Sequence, residues 1–157
     1  MSNMIKIENR LIQKLDVGTM SMDTSVHISD CIIEQLDFVG LELENEIIIE
    51  KCIIKNMKIH SCWFVGGFSL KNNIVFSEVD YQMGGHNKAQ ILIDGNIFNG
   101  FFSFFDCHFE KLLTITNNIF VADCDLFVLE GKSFDNRYEE GYIVQDNIGR
   151  LDVMRAL

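Results

Sequence analysis

Long apolar runs are missing from this chain: the longest cover only a few residues, whereas a membrane-crossing helix needs about 20. The opening Met1-Ser2-Asn3-Met4-Ile5-Lys6-Ile7-Glu8 lacks the unbroken apolar stretch and small-residue cleavage site of a secretion signal, so a cytoplasmic protein is expected. Basic residues are scarce, with 13 lysines and arginines against 23 acids and a formal charge of −10. Proteins that neutralise phosphates gather cations, so neither nucleic acid nor a membrane is an expected partner. Cys-x-x-Cys pairs are absent, which removes the usual zinc and redox frameworks from the five cysteines. Without a secretion signal these read as free thiols in a reducing compartment. Nucleophile-elbow, phosphate-loop and dinucleotide-binding glycine motifs are also absent. No cofactor or metal is expected, and the balance favours a protein that is not an enzyme.

Proline is absent altogether, yet 48% of the residues are apolar and 13 are phenylalanine, a composition that excludes a disordered chain. The 157 residues suit a single domain spanning 1–157.

What is present is a repeat. The pattern apolar, any, apolar, two of any, Cys or Asn, any, apolar fits Val26 to Ile33 with Cys31. It recurs with Cys52, Cys62, Asn73, Asn96, Cys107 and Asn118, and more weakly from Tyr142 to Gly149 with Asn147. Full copies start at 26, 47, 57, 68, 91, 102 and 113, steps of 21, 10, 11, 23, 11 and 11 residues. Leu36/Phe38/Leu41/Leu43 and Leu15/Val17/Met20/Met22 hold the same offsets, and Val79/Tyr81/Gly84 hold them poorly. Alternation within each unit is the period of a strand with one buried face, and phenylalanine and β-branched residues dominate it. Ten residues cannot close a coil around a filled interior, but two units can. The expected fold is all-β: a single-stranded parallel β-helix, a solenoid of about six coils of 21–22 residues.

Stacking two units per coil sorts the corner residues into columns. One holds Cys31, Cys52, Asn73, Asn96 and Asn118; the other holds Leu41, Cys62, Gly84, Cys107 and Leu129. Stacked asparagines can hydrogen-bond along a ladder, and Asn tolerates the left-handed backbone of a tight corner. Buried, small and apolar is the reading for the cysteines.

Leu92-Ile93-Asp94-Gly95-Asn96-Ile97-Phe98 and Ile115-Thr116-Asn117-Asn118-Ile119-Phe120 resemble the repeats of right-handed parallel β-helix proteins, a group that includes pectate lyases. The five-residue sub-rhythm, as in Cys52/Ile54, Met57/Ile59 and Cys62/Phe64, is similar to that of pentapeptide-repeat proteins. Where that family places Asp or Asn before the central residue, this chain has Ile32, Ile53, Trp63, Ile97, His108 or Ile119. The resemblance covers about residues 15–150 and implies a right-handed coil. It also implies two activities as expectations: carbohydrate chemistry, as in the larger β-helix enzymes, or a negatively charged rod that imitates DNA before DNA-binding enzymes.

Nine carboxylates and no cation lie between Leu15 and Glu50. Such a run forms a solvated face, or a surface for a basic partner or a cation. As a binding surface it would use Glu34, Asp37, Glu42, Glu44 and Glu46 toward a protein with a basic surface. Two stretches break the repeat, 77–90 and 131–141, and their register lets them meet on one side. They are solvated loops or the two walls of a pocket. His27, His60 and His108 fall at outward positions and read as surface residues, leaving His86 near Asp80. An enzyme reading would test Asp80, His86, Asp135 and Arg137. The Met4–Val17 stretch is expected to enter the stack directly, and 147–157 to close it as a strand or short helix. Unpaired strand edges at either end invite a homodimer, or a shell or fibre, by end or side stacking.

Overall fold

The computed structural model describes residues 3–129 and 134–155 and contains strands but no helix. Strands Met4–Glu8, Ser25–Ser29, Ile47–Glu50, Phe68–Lys71, Ile91–Asp94, Leu113–Thr116 and Tyr142–Gln145 form one parallel seven-stranded sheet. Each is in register with the next, so Val26, Ile47, Phe68, Ile91 and Leu113 stack directly. Five of the seven strands have a neighbour on both sides, and the other two are terminal. The chain is a parallel β-solenoid.

A second sheet follows the first six of these strands around a corner, with Leu11–Ile12, Ile32–Asp37, Ile53–Lys58, Ile74–Val75, Ile97–Phe98 and Ile119–Phe120, and Ile148 bridges to Ile119 after the seventh. Its next stretch carries Val79–Asp80 and Phe102–Ser103, which continue the long strand Ile53–Lys58 upward. The coil returns along a fourth side, paired through Glu42, Trp63, Gly85 and His108–Phe109 to Arg137–Tyr138. Alternate residues of every side point inward. Val26, Ile28, Ile33, Leu36, Phe38 and Leu43 of one coil lie above Ile47, Ile49, Ile54, Met57, Ile59 and Phe64 of the next, and all twelve are buried. Removing side chains of this size from water contributes about 1.5–3 kcal/mol each, which makes the continuous core the source of stability. Phenylalanines thicken it from the middle onward: Phe64 stacks on Phe68 at 4.0 Å, and Phe102 on Phe104 at 4.2 Å.

The asparagine column is a ladder. Asn96 Oδ1 accepts the Asn73 backbone N–H at 2.9 Å and the Asn73 amide at 3.0 Å. Its own Nδ2 donates to Asn118 Oδ1 and to the Leu70 carbonyl. Asn118 repeats the arrangement with Asn147, so the weak eighth copy belongs to the column. The left-handed corner residue is the one before: Asp30, Lys51, Asn72, Gly95, Asn117 and Asp146 have positive φ, and the ladder asparagines do not. The amide must point into the coil to bridge, so its neighbour absorbs the turn.

Three further expectations need correction. Leu129 does not join the second corner column; it is 79% exposed, and Asn136 occupies that place, its Oδ1 accepting the Cys107 N–H at 2.8 Å. The added residues of the last coil fall between Leu126 and Asn136, which moves the register past Leu129. Val17 is exposed rather than inward, because Asp16 Oδ1 accepts the Gly18 N–H and lifts Val17 onto a turn. Residues 147–155 form no helix or named strand. They run extended along the preceding coil, with the Cys124 N–H donating to Arg150 O and Val153 N–H to Cys124 O. Val79 and Tyr81, weak by pattern, are fully in register and buried.

Aromatic rings cover the core at the closing end. Phe109 stacks on Tyr138 at 5.7 Å, Tyr138 meets Tyr142 at 4.9 Å, and Phe127 meets Tyr142 at 5.2 Å. The opening strand Met4–Glu8 enters the sheet directly and leaves its outer edge unpaired among the described residues. All five cysteines are buried and free. No helix of the described residues is long and apolar enough to cross a membrane.

Candidate functional site

Outward positions of the second coil, between Ser29 and Ile47, carry the acidic surface. Glu42, Glu44 and Glu46 are exposed, because the inward places beside them belong to Leu43 and Ile47, with Asn45 half-buried between. Glu34 and Asp37 are half-buried on the neighbouring side. Glu34 is already engaged by the Lys55 ammonium at 2.7 Å, and Asp37 Oδ1 accepts the Val39 N–H. The five acids therefore divide, with the three on the fourth side left open.

Next to them stands Trp63, the sole tryptophan, to which the repeat pattern gives no binding role. It pairs backbone-to-backbone with Glu42 across the coil boundary, and 37% of its surface is exposed. Its position between inward Cys62 and Phe64 is the signal that an aromatic ring faces outward. The indole N–H donates to Met83 O at 3.2 Å, and the ring packs on His86 at 4.2 Å. A shallow groove runs here between Gly40, Leu41, Glu42, Ser61, Trp63 and Met83.

The outward histidines are partnered rather than simply solvated. Each meets a carboxylate: His27 with Glu50 at 2.8 Å, His60 with Asp80 at 3.1 Å, His86 with Glu110 at 3.6 Å, His108 with Glu139 at 2.6 Å. His27, with Lys71 behind it, holds the Glu50 carboxyl below its ordinary range. Asp80 thus belongs to His60 and not to His86. Gly85 and His86 both have positive φ, which turns His86 out onto Trp63 while Asn87 takes a buried place. Among the described residues, no group of three or more His, Cys, Asp and Glu is placed to hold a metal ion.

Asp80, His86, Asp135 and Arg137 do not form one cluster. Asp80 faces His60, His86 faces Trp63 and Glu110, and Arg137 pairs with the strand position of His108. Asp135 alone of the four lines a cavity, which is nevertheless built from both irregular stretches. Gln82 comes from the first, and Phe134, Asp135 and Asn136 from the second, with Phe105 of the intervening coil between them. Residues 131–133 of the second stretch lie outside the described residues.

Compared with known proteins, the chain matches no family model, no curated protein and no solved structure.

Proposed function

We propose that the protein is a non-catalytic interaction module that binds a protein partner with a basic surface. The supporting observation is the juxtaposition of exposed Glu42, Glu44 and Glu46 with exposed Trp63 on one side of the stack. Tryptophan is over-represented among residues that dominate binding energy, and surrounding like charge steers an oppositely charged partner. The groove beside Glu42 accepts an apolar side chain, and the acids accept the lysines or arginines flanking it. A DNA-binding enzyme is one partner of this kind, as the pentapeptide-repeat resemblance implies.

The test is affinity capture from lysate with wild type, the triple variant E42K/E44K/E46K, and Trp63→Ala. A basic partner held by wild type, released by added salt and lost in both variants at unchanged thermal midpoints supports the proposal. A partner retained equally by the triple variant refutes it.

A further inference from the structure

The cavity between the two irregular stretches encloses about 260 Å³ and has one apolar wall and one polar end. Phe105 and Phe134 form the wall, their rings 5.9 Å apart and 25° from parallel, and Val128 and Met154 extend it. Phe105 is offered outward because Phe104, its neighbour, fills the inward place. The polar end is the carboxylate of Asp125. Ser103 Oγ–H donates to its Oδ2 at 2.8 Å, and the Phe104 N–H donates to its Oδ1 at 2.5 Å. These two bonds fix the carboxylate and leave each oxygen further acceptor capacity.

The charges around the cavity decide what it prefers. Asp125 and Asp135 line it, with Gln82 as a neutral amide. The Asn136 amide is engaged in the coil, accepting from the Cys107 N–H and donating to Leu126 O. Arg155 closes one edge, but its guanidinium binds the Glu78 carboxylate. Among the described lining residues the acids are Asp125 and Asp135 and the cation is Arg155, which also acts on Asp125, on a protein of net charge −10. Burial also raises the Asp125 pKa, the mark of a carboxylate that a bound cation would relieve.

We infer that this cavity binds a small organic cation with a flat apolar body, its ring on the Phe105–Phe134 wall and its N–H donors on Asp125. The volume lies below the roughly 300–1,000 Å³ of sites for drug-sized ligands, so the ligand is a single-ring molecule or one of similar size. Ring-on-ring packing and the attraction of a cation to aromatic faces act together at such a wall. The site is on a different side of the stack from Trp63 and does not depend on the interaction surface proposed above.

Benzamidine, benzoate and benzyl alcohol are matched probes of one ring with positive, negative and no charge. Each is titrated into isotope-labelled protein and followed by two-dimensional NMR, in wild type, D125N and F134A. Benzamidine is expected to shift Ser103, Phe105, Asp125 and Phe134 saturably, with benzyl alcohol weaker and benzoate without effect. D125N, which keeps an acceptor for the Phe104 N–H, is expected to weaken benzamidine about tenfold or more, as loss of an ionic hydrogen bond does. F134A removes an exposed ring, so it leaves the fold intact and weakens benzamidine and benzyl alcohol alike. Benzoate binding as tightly as benzamidine overturns the inference. So does an unchanged affinity in both variants, or no probe reaching the cavity at about millimolar concentration. If D125N fails to fold, the order of the three probes and the F134A result decide.

Discussion

The ring of Tyr81 occupies the space that a side chain at position 84 would need: a Cβ on Gly84 would lie closer than 3.0 Å to three of its ring carbons. The other corners of this column hold Leu41, Cys62, Cys107 and Asn136, and glycine stands only where the inward residue three positions earlier is Tyr81, in the place that Phe38, Ile59 and Phe104 take in other coils. The Tyr81 hydroxyl completes the exchange by accepting the Gly85 N–H at 3.2 Å. Gly84→Cys, which restores the repeat in sequence, should therefore lower stability by about 1–3 kcal/mol through overpacking. Adding Tyr81→Ile should recover much of that loss. Urea unfolding of the single and double variants measures the coupling, and additive effects would break the link between the two positions.

Asn96 both accepts and donates along the ladder, so replacing it orphans groups on two coils. Asn96→Leu is expected to cost about 2–4 kcal/mol, because the Asn73 N–H and the Leu70 carbonyl lose their partners inside the core. Asn73→Cys should be milder, at about 1 kcal/mol, since Cys31 and Cys52 already fill the same corner in earlier coils. Equal losses for the two would show that the amides contribute nothing specific.

The buried thiols set an alkaline limit. Burial pushes Cys52 up to about 11 and Cys124 up to about 12, with Cys62 and Cys107 raised further. A folded-state pKa above the unfolded one gives stability that is complete below the unfolded value and lost as pH rises through the folded one. Unfolding free energy should accordingly fall between about pH 8.5 and the folded values near 11–12. At pH 8 the native protein should react with Ellman's reagent only as fast as it unfolds, and release all five thiols in denaturant. A fast native reaction at Cys62 or Cys107 would contradict their burial.

Two sheet edges are unpaired among the described residues, at Met4–Glu8 and Tyr142–Gln145. We propose that copies associate through these ends, where Ile5, Leu11, Tyr142 and Ile143 are exposed. Light scattering should then show a mass that rises with concentration, and Ile143→Lys should hold the protein at the lower mass, as edge lysines do in natural sheets. A constant monomer mass for both would exclude end stacking.

The inward columns and the asparagine ladder were legible in the sequence because each depends on spacing within one coil and on repetition. Ile47 and Ile49, or Phe68 and Leu70, announce their side by alternation alone. The unread features depend on what lies across the boundary between coils. Gly84 reads as decay of the motif until the ring of Tyr81 is in place beside it. His60 selects Asp80, and His86 selects Glu110, through a register of some twenty residues that no local pattern encodes. Asn136 has no signature in the sequence, because the extra residues between Leu126 and Asn136 move the corner away from the apolar spacing. The cavity was legible only as two breaks falling on one side; its wall needed Phe105, an ordinary outward residue of an intact repeat. Trp63 was visible as an outward aromatic but acquires meaning only beside Glu42.

Each amide of the asparagine ladder joins its own coil to the neighbouring ones, and never further. Cooperativity in such a molecule is handed from neighbour to neighbour, as in a one-dimensional lattice, instead of residing in a shared centre. Melting then has a direction: the outermost coils open first, and amide exchange should slow progressively toward Phe68–Lys71, midway along the seven-stranded sheet. Asn147 is the last rung among the described residues, so the closing coil is held by an amide on one side only. The cavity draws Met154 and Arg155 from that same end, and whatever fills it would slow the opening of the last coil by fastening residues 154 and 155 to the coils above.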